Sequence, residues 1–439
     1  MEAVSLRFVI ALTMPQSDAP SPSFVERISL VRPHEWPAVV AAFLYFFCLL
    51  CGYYLLRPVR DEMGIQAGLQ NLASLFTATL AVMLLVVPVF GALSSRLPRR
   101  RLLPLVYGFF VLNLLGFHAL FDAAIAPART AMVFFVWVSV YNLFVVSVFW
   151  SFMAELFDTG QARRVYGVIA AGGSFGALCG PLLAALLAPR LGIAKLLLLS
   201  AAFLALTVVC IVYLGRWLRR QGSAPAALAE RAVGGGLWDG IKLVAGSRFL
   251  LAACGFVLLY SASSTLLYFE QQHIVAATYT APTQRTALFA RMDLAVNALT
   301  LLLQVFVSGR LLSRWGIRVG LVMVPLISVL GFAALALDPV LAVLVVFGVA
   351  RRAGEFALAK PARESLFNIL TPAEKYKAKN FMDTAVYRSG DALSAWLFEG
   401  IKGLGLSGVA TVGGVAALLW ALLGRWLVNA HHLLLRNKS

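Results

Sequence analysis

Apolar residues run along this chain in blocks about twenty long, the length an α-helix needs to cross the hydrocarbon of a bilayer. Twelve blocks are predicted, at 38–57, 70–93, 102–121, 131–153, 165–188, 194–216, 248–270, 287–308, 319–337, 339–360, 380–400 and 407–428. One long polar interval, Arg219 to Gly236, is rich in Ala, Gly and charge, lacks any apolar period, and divides the blocks six and six. The pattern predicts an all-α membrane protein of twelve transmembrane helices in two six-helix halves. Its parts are a tail (1–37), a first half (38–216), a linker (217–247), a second half (248–428) and a closing tail (429–439).

Composition agrees. Hydrophobic residues make up 61% of the 439 and charged residues 13%, with a mean hydropathy of +0.85. Soluble domains hold about 45–50% apolar residues. An even number of crossings puts both termini on one face, and the basic residues choose which. Arg96, Arg99, Arg100 and Arg101, then Arg216, Arg219, Arg220 and Arg231, then Lys375, Lys377 and Lys379 all fall on the side of the termini. That side is therefore expected to be cytoplasmic, and the net charge of +17 reflects topology rather than a nucleic-acid footprint. The stretch Val4 to Met14 follows Glu2, contains Arg7 and has no small-residue cleavage pattern, so it is not read as a signal peptide, and Met14 is an alternative start. Pro15 to Pro22 reads as a disordered tail. Phe24 to Trp36 reads as an amphipathic segment on the cytoplasmic surface. Cys48 and Cys51 form a CxxC inside an apolar helix and are read as two small hydrophobic residues.

Charge inside the blocks carries the functional signal. The stretch Gly52 to Gly64, GYYLLRPVRDEMG, sets Arg57, Arg60 and Asp61 on one helical face at the far end of the first block. Pro58 leaves the Tyr54 carbonyl without its usual donor. Such a face is tolerated at membrane depth beside protein or water, which predicts a polar cavity; the alternative is a helix end whose arginines snorkel to the interface. The tenth block holds Arg351, Arg352 and Glu355, with the acid at i+4 and i+3 from the two arginines. The eleventh aligns Asn380, Asp383, Tyr387 and Asp391, with Arg388 beside them. The eighth aligns Asp293, Asn297, Thr300 and Gln304, with Arg291 nearby, and the seventh offers Tyr260, Ser264 and Tyr268. Arg57, Arg60, Arg291, Arg351, Arg352 and Arg388 balance Asp61, Glu62, Asp293, Glu355, Asp383 and Asp391 in number. A buried carboxyl can neutralise whereas arginine stays charged and its fork suits phosphate and carboxylate, so the expected solute is an anion. Interhelical ion pairs that only hold the bundle together are the structural alternative.

Gly91 to Arg101 (GALSSRLPRRR) after the second block and Gly309 to Arg318 (GRLLSRWGIR) after the eighth share a Gly, a Leu–Ser and then arginines. With twelve blocks and a central linker, these loops resemble the major facilitator superfamily, whose pattern usually places Asp where Ser95 and Ser313 stand here. Gly167, Gly176, Gly180 and Pro181 are similar to that superfamily's antiporter motif, with Ala184 at its last glycine. More narrowly, YYLLRPVRDEMG (Tyr53 to Gly64) and KPARESLFNILTPAEKYKAKNFMDTAVYRSGD (Lys360 to Asp391) resemble the ATP/ADP translocases, nucleotide exchangers of bacteria and plastids. The resemblance implies a bacterial inner-membrane protein with Arg57, Arg60 and Asp61 as substrate or gating residues.

The expected function is secondary active transport of an anionic, phosphorylated solute, nucleotide by ATP/ADP-type exchange, through alternating access. The alternatives are proton-coupled transport of another organic solute, with Asp61, Asp383 or Asp391 carrying the proton, and a non-transporting scaffold or sensor. No Walker loop, GxSxG, HExxH or paired-His set is present, so neither catalysis nor a metal or cofactor is expected. The expected partners are the small anionic substrate and membrane lipids, with no nucleic acid, and the expected state is a monomer. Topology makes the first prediction: cysteines placed at Arg220 or Lys377 are shielded from an impermeant thiol reagent added outside, and cysteines at Gln70 or Pro282 are labelled. The reverse pattern inverts every side assigned above.

Overall fold

The computed structural model describes residues 31–96, 99–220 and 243–436, and among these every regular element is helical. In chain order the helices are α1 (Trp36–Gln66), α2 (Leu72–Arg96), α3 (Arg99–Asp122), α4 (Pro127–Leu156), α5 (Thr159–Leu191) and α6 (Ile193–Arg220). After the interval come α7 (Arg248–Thr278), α8 (Pro282–Trp315), α9 (Val319–Leu337), α10 (341–366), α11 (372–401) and α12 (Gly405–Arg436). Most of the predicted tail 1–37 and linker 217–247 lies outside the described residues, as do Leu97 and Pro98 in the first of the paired basic loops.

Among the described residues, ten stretches are long and apolar enough to span a membrane. The last of them, Tyr387–Arg436, joins the end of α11 to α12, and α10, which carries Arg351, Arg352 and Glu355, is not among the ten. Helix starts follow local chemistry. Asp158 and Thr371 form capping boxes with Gln161 and Glu374, and Pro127, Pro282 and Pro372 open α4, α8 and α11. Prediction and structure part at α1, which runs unbroken through Pro58 to Gln66 instead of ending at residue 57. Arg57, Arg60, Asp61 and Glu62 all find partners inside the protein, so the helix has no need to stop at its charges.

α1 is the axis of the first six helices, packed by α4, α5 and α6. Its contact with α5 depends on missing side chains. A Cβ on Gly172, Gly176 or Gly180 would run into the backbone carbonyls of Phe43, Phe47 and Cys51 on α1, so the two helices meet backbone to backbone. Ser200 on α6 closes the other flank by donating to the Gly52 carbonyl at 2.9 Å. A shift of six reproduces much of the pattern: α7 packs on α11 and α12 as α1 does on α5 and α6, and α9 on α12 as α3 does on α6. The two groups of helices meet where α8 lies on α1 and α5, and where α2 lies on α11. Leu85, Leu112, Leu330 and Val346 are exposed on the outside, a surface suited to acyl chains rather than water.

One departure from regularity is concentrated in the second group. α8, α9, α10 and α11 each contain a five-residue π turn, at Gln304–Ser308, Val319–Met323, Glu355–Ala359 and Met382–Val386. Such wide turns sit disproportionately at functional sites, and the last two adjoin the predicted charged clusters.

The glycine stripe yields a stability prediction. Gly176→Ala should lower stability by about 1–3 kcal/mol through overpacking, whereas Gly167→Ala, where a Cβ meets nothing within 4 Å, should change little. Thermal unfolding of both variants in detergent distinguishes the two sites.

Candidate functional site

A cavity of about 270 Å³ lies where α1, α7, α10 and α11 face one another. Arg57, Arg60 and Asp61 enter its wall from α1, Tyr260, Ser264 and Tyr268 from α7, Arg351, Arg352 and Glu355 from α10, and Tyr387, Arg388 and Asp391 from α11. Of the candidate site residues named from the sequence on those four helices, Asn380 and Asp383 have side chains outside the description. A larger cavity, about 970 Å³, lies among α2, α3 and α4. Apart from Ser74 its lining is hydrocarbon and aromatic, which offers nothing to a charged solute.

The charges do not pair as helical spacing suggests. Asp61 is one turn from Arg57, yet Arg57 turns to Asp293 on α8 (Nε to Oδ2, 3.6 Å) and Asp61 faces Arg60 at 3.4 Å. The Tyr268 hydroxyl donates to Asp61 at 3.2 Å. On α10, Arg352 donates to Asp293 at 2.7 Å, Arg351 donates to the Ser264 hydroxyl at 2.6 Å, and Glu355 is left to Arg363 at 3.4 Å. Glu355 keeps α-helical register with both arginines, its N–H bonding the carbonyls of Arg351 and Arg352, yet the two guanidinium groups turn to other helices and the acid pairs with Arg363 beyond the π turn of its own helix. Asp391 accepts from Ser261 at 2.6 Å and from Thr265 at 3.3 Å, and Arg388 stands 3.6 Å away.

Arg351 is the exception in this set. It is buried, contacts no carboxylate within ion-pair distance among the described residues, and leaves its Nε without a partner. Its charge rests instead on aromatic faces, with Cζ 5.5 Å from the Tyr260 ring centre and 6.0 Å from that of Trp420. Arg60 lies on Phe135 in the same way, at 4.0 Å.

The structure revises the charge balance. Arg291 is exposed and leaves the count. Glu62 also leaves, because it is buried beyond the cavity and held by Arg285 through two bonds of 2.7 Å. Arg363 joins through Glu355, and Asp293 stays as the shared partner of Arg57 and Arg352. Among the described side chains, Arg57, Arg60, Arg351, Arg352, Arg363 and Arg388 face Asp61, Asp293, Glu355 and Asp391, an excess of two positive charges if all are ionised. Arg285 and Arg363 escaped sequence reasoning. The partner of Arg285 is 223 positions away, beyond any helical period.

Toward the end that carries Gln66 and Pro282 the cavity is closed. Phe76 packs on Tyr268 and Phe269 at 5.6 and 5.5 Å between ring centres, and Phe269 packs on Phe398 at 4.7 Å. Trp396 on α11 donates to Thr77 on α2 at 3.0 Å, and the Glu62–Arg285 pair joins α1 to α8. Deeper in, Asn297 on α8 donates to the Ala177 carbonyl on α5 at 2.6 Å.

Comparison with known proteins identifies the architecture. A solved structure of a nucleoside transporter NupG variant superposes with a TM-score of 0.66 over 90% of this chain and 99% of its own, at 13% identity. This is the major facilitator fold. A POT family transporter structure, in complex with a thioalcohol-conjugated peptide, gives a TM-score of 0.63 over 90% of this chain and 96% of its own, also at 13% identity. The sequence profile of the Major Facilitator Superfamily matches residues 151–354. Among curated sequences, the chain is 21% identical to ADP,ATP carrier protein 1 of Chlamydia trachomatis, covering 91% of this chain and 88% of the relative. ADP,ATP carrier protein 2 of Chlamydia pneumoniae is also 21% identical, over 90% and 87%. A multi-pass membrane protein with this fold brings arginines from both groups of helices to one cavity.

The pairing yields a stability prediction. Arg352→Leu strips Asp293 of its short bond and should destabilise the protein by about 3 kcal/mol, whereas Arg351→Leu removes a buried charge that has no carboxylate to orphan and should cost about 1 kcal/mol or less. Unfolding in detergent without any solute measures both, and equal losses would show that Asp293 does not depend on Arg352.

Proposed function

We propose that this protein is a secondary active transporter that moves an anionic, phosphorylated solute across the bacterial inner membrane by exchange, with nucleotides of the ATP/ADP type as substrate. The observation that carries the reading is the arginine excess among the described side chains at the cavity, above all Arg351, a buried guanidinium with an unused donor and no carboxylate partner among the described residues. Planar forks from Arg57, Arg351 and Arg352 suit the oxygens of phosphate. Tyr260 and Tyr387 in the same wall offer aromatic faces. The likeness to proteins named ADP,ATP carriers over most of the chain supports the choice of substrate class. In this reading α1–α6 and α7–α12 are the two halves, they rock about the cavity as one protomer, and both termini are cytoplasmic.

Asp391 motivates a second reading, proton-coupled transport of another organic solute. It is a buried carboxyl in the cavity wall, held by two hydroxyls and with only a 3.6 Å approach to Arg388.

Reconstitution tests both readings. Labelled nucleotide should enter liposomes preloaded with ATP or ADP, should fail to enter buffer-loaded ones, and should ignore an imposed pH gradient. Proton-driven uptake into buffer-loaded vesicles selects the second reading. Arg351→Ala should weaken nucleotide binding by about 10- to 150-fold, the equivalent of about 1.5–3 kcal/mol for one charge-assisted bond. Arg57→Lys should impair transport although it keeps the charge, because the fork is lost. A folded and fully active Arg57→Ala, Arg60→Ala protein overturns the cavity reading.

A further inference from the structure

We propose that Glu355 reads the sugar of the solute, accepting hydrogen bonds from ribose hydroxyls while the arginines around it take the phosphate. The inference rests on the nucleotide reading above and assigns to that site a contact of a different kind, made by an acid rather than a base.

The acids of the cavity wall are not equally occupied. Asp61 faces Arg60 and accepts from Tyr268, and Asp391 accepts from Ser261 and Thr265. Glu355 is different. It is 4% exposed, its Oε1 lies 3.4 Å from Arg363, and its Oε2 is buried with no hydrogen-bond partner among the described residues. Glu355 lines the cavity and Arg363 does not. One oxygen is thus held from outside the cavity, and the other is left to accept. A buried acceptor without a donor is costly, so a solute that brings a donor gains more here than it would at a hydrated surface.

The neighbouring arginine limits what that donor can be. The Glu355 N–H bonds the Arg351 carbonyl, so the two residues stand one α-helical turn apart, about 6 Å along the axis. Arg351 also lines the cavity and has its own unused donor, Nε. A solute that satisfies both must carry an anionic oxygen and a hydrogen-bond donor about one turn from each other. In a nucleoside 5′-phosphate the ribose hydroxyls stand near the phosphate, whereas the base edge lies beyond the glycosidic bond. The spacing suits the sugar and is short for the base. A carboxylate oxygen has lone pairs for both hydroxyls, and such O–H to O⁻ bonds are the strong, charge-assisted kind. The same carboxylate repels phosphate, so it also orients the solute, with phosphate toward the arginines and sugar toward α10.

The test measures binding to the full chain purified in detergent. The probes are ADP, 2′,3′-dideoxy-ADP, which lacks both ribose hydroxyls, and IDP, which keeps them and alters the base. The parent should bind ADP about 10- to 150-fold more tightly than the dideoxy analogue. Glu355→Leu with Arg363→Leu removes the carboxylate without stranding its partner, and should bind the two about equally. Glu355→Gln keeps an oxygen for Arg363 but loses the charge, and should reduce the parental ratio by about threefold or more. The ratio is read within each variant, so a loss of folded protein or of phosphate affinity does not alter it. Discrimination between ADP and IDP should be the same in all three proteins. A folded double variant that keeps the parental ratio overturns the assignment. If the double variant does not fold, Glu355→Gln decides: an unchanged ratio overturns the assignment and a reduced one supports it. Variants that lose discrimination against IDP while keeping it against the dideoxy analogue put the carboxylate on the base, which also overturns it. A parent that binds ADP and the dideoxy analogue alike removes this assignment alone, whereas a parent that binds none of the probes removes the nucleotide reading as well.

Discussion

A charge placed at hydrocarbon depth has to be satisfied inside the protein, by a counter-charge, a hydroxyl or an aromatic face, and in this molecule several of those partners come from a distant helix. Asp293 serves Arg57 and Arg352 at once, and the two arginines stand on helices from opposite ends of the chain. Buried pairs of this kind add little to stability, because desolvation offsets most of their attraction. What they confer is position. Among the described side chains the fixed acids are fewer than the fixed bases, so the arginines are held in place without all being saturated, as the proposed anion site requires.

Cohesion comes from elsewhere. α1 carries the first-half arginines and is also the most enclosed helix of that half, gripped by a glycine stripe on α5 and by Ser200 on α6. Packing of backbone against backbone freezes few side chains, so it holds tightly at low entropic cost. The charged face of α1 can thus point into a polar space without loosening the helix that bears it. In the second group the same task falls to α7, α10 and α11, whose aromatic rings carry part of the load: Tyr260 lies 5.8 Å from Tyr387 and 5.6 Å from Trp420, ring centre to ring centre, with arginines over its face.

The helices were legible in the sequence because the bilayer demands long apolar runs and little else does. The membership of the cavity was legible for a related reason: charge is rare in such runs, so Arg57, Arg351, Asp391 and their neighbours stood out. Their partners were not legible. Helical spacing reports only neighbours on the same helix, and it offered Asp61 to Arg57 and Glu355 to Arg351, whereas the fold supplies Asp293 and Ser264. Membership of the charge count changed for the same reason. A sequence count treated Arg291 and Glu62 as cavity residues, but one faces outward and the other is locked to Arg285. Arg285 itself looks like an ordinary polar residue in the first turn of a helix until α1 is brought beside it.

The four wide turns of α8 to α11 bear on how relatives of this protein can be compared. Each holds one residue more per turn than an α-helix, and one residue is worth about 100° of rotation. Side chains before and after such a turn are therefore out of step with any straight-helix relative, even where an alignment shows no gap. Arg351 and Arg352 precede the turn in α10 and Arg363 follows it; Arg388 and Asp391 follow the one in α11. A cavity residue carried across by column from a relative that lacks the turn would be assigned to the wrong face of its helix. For this chain, equivalence between sites has to be judged by phase around the axis rather than by position along the sequence.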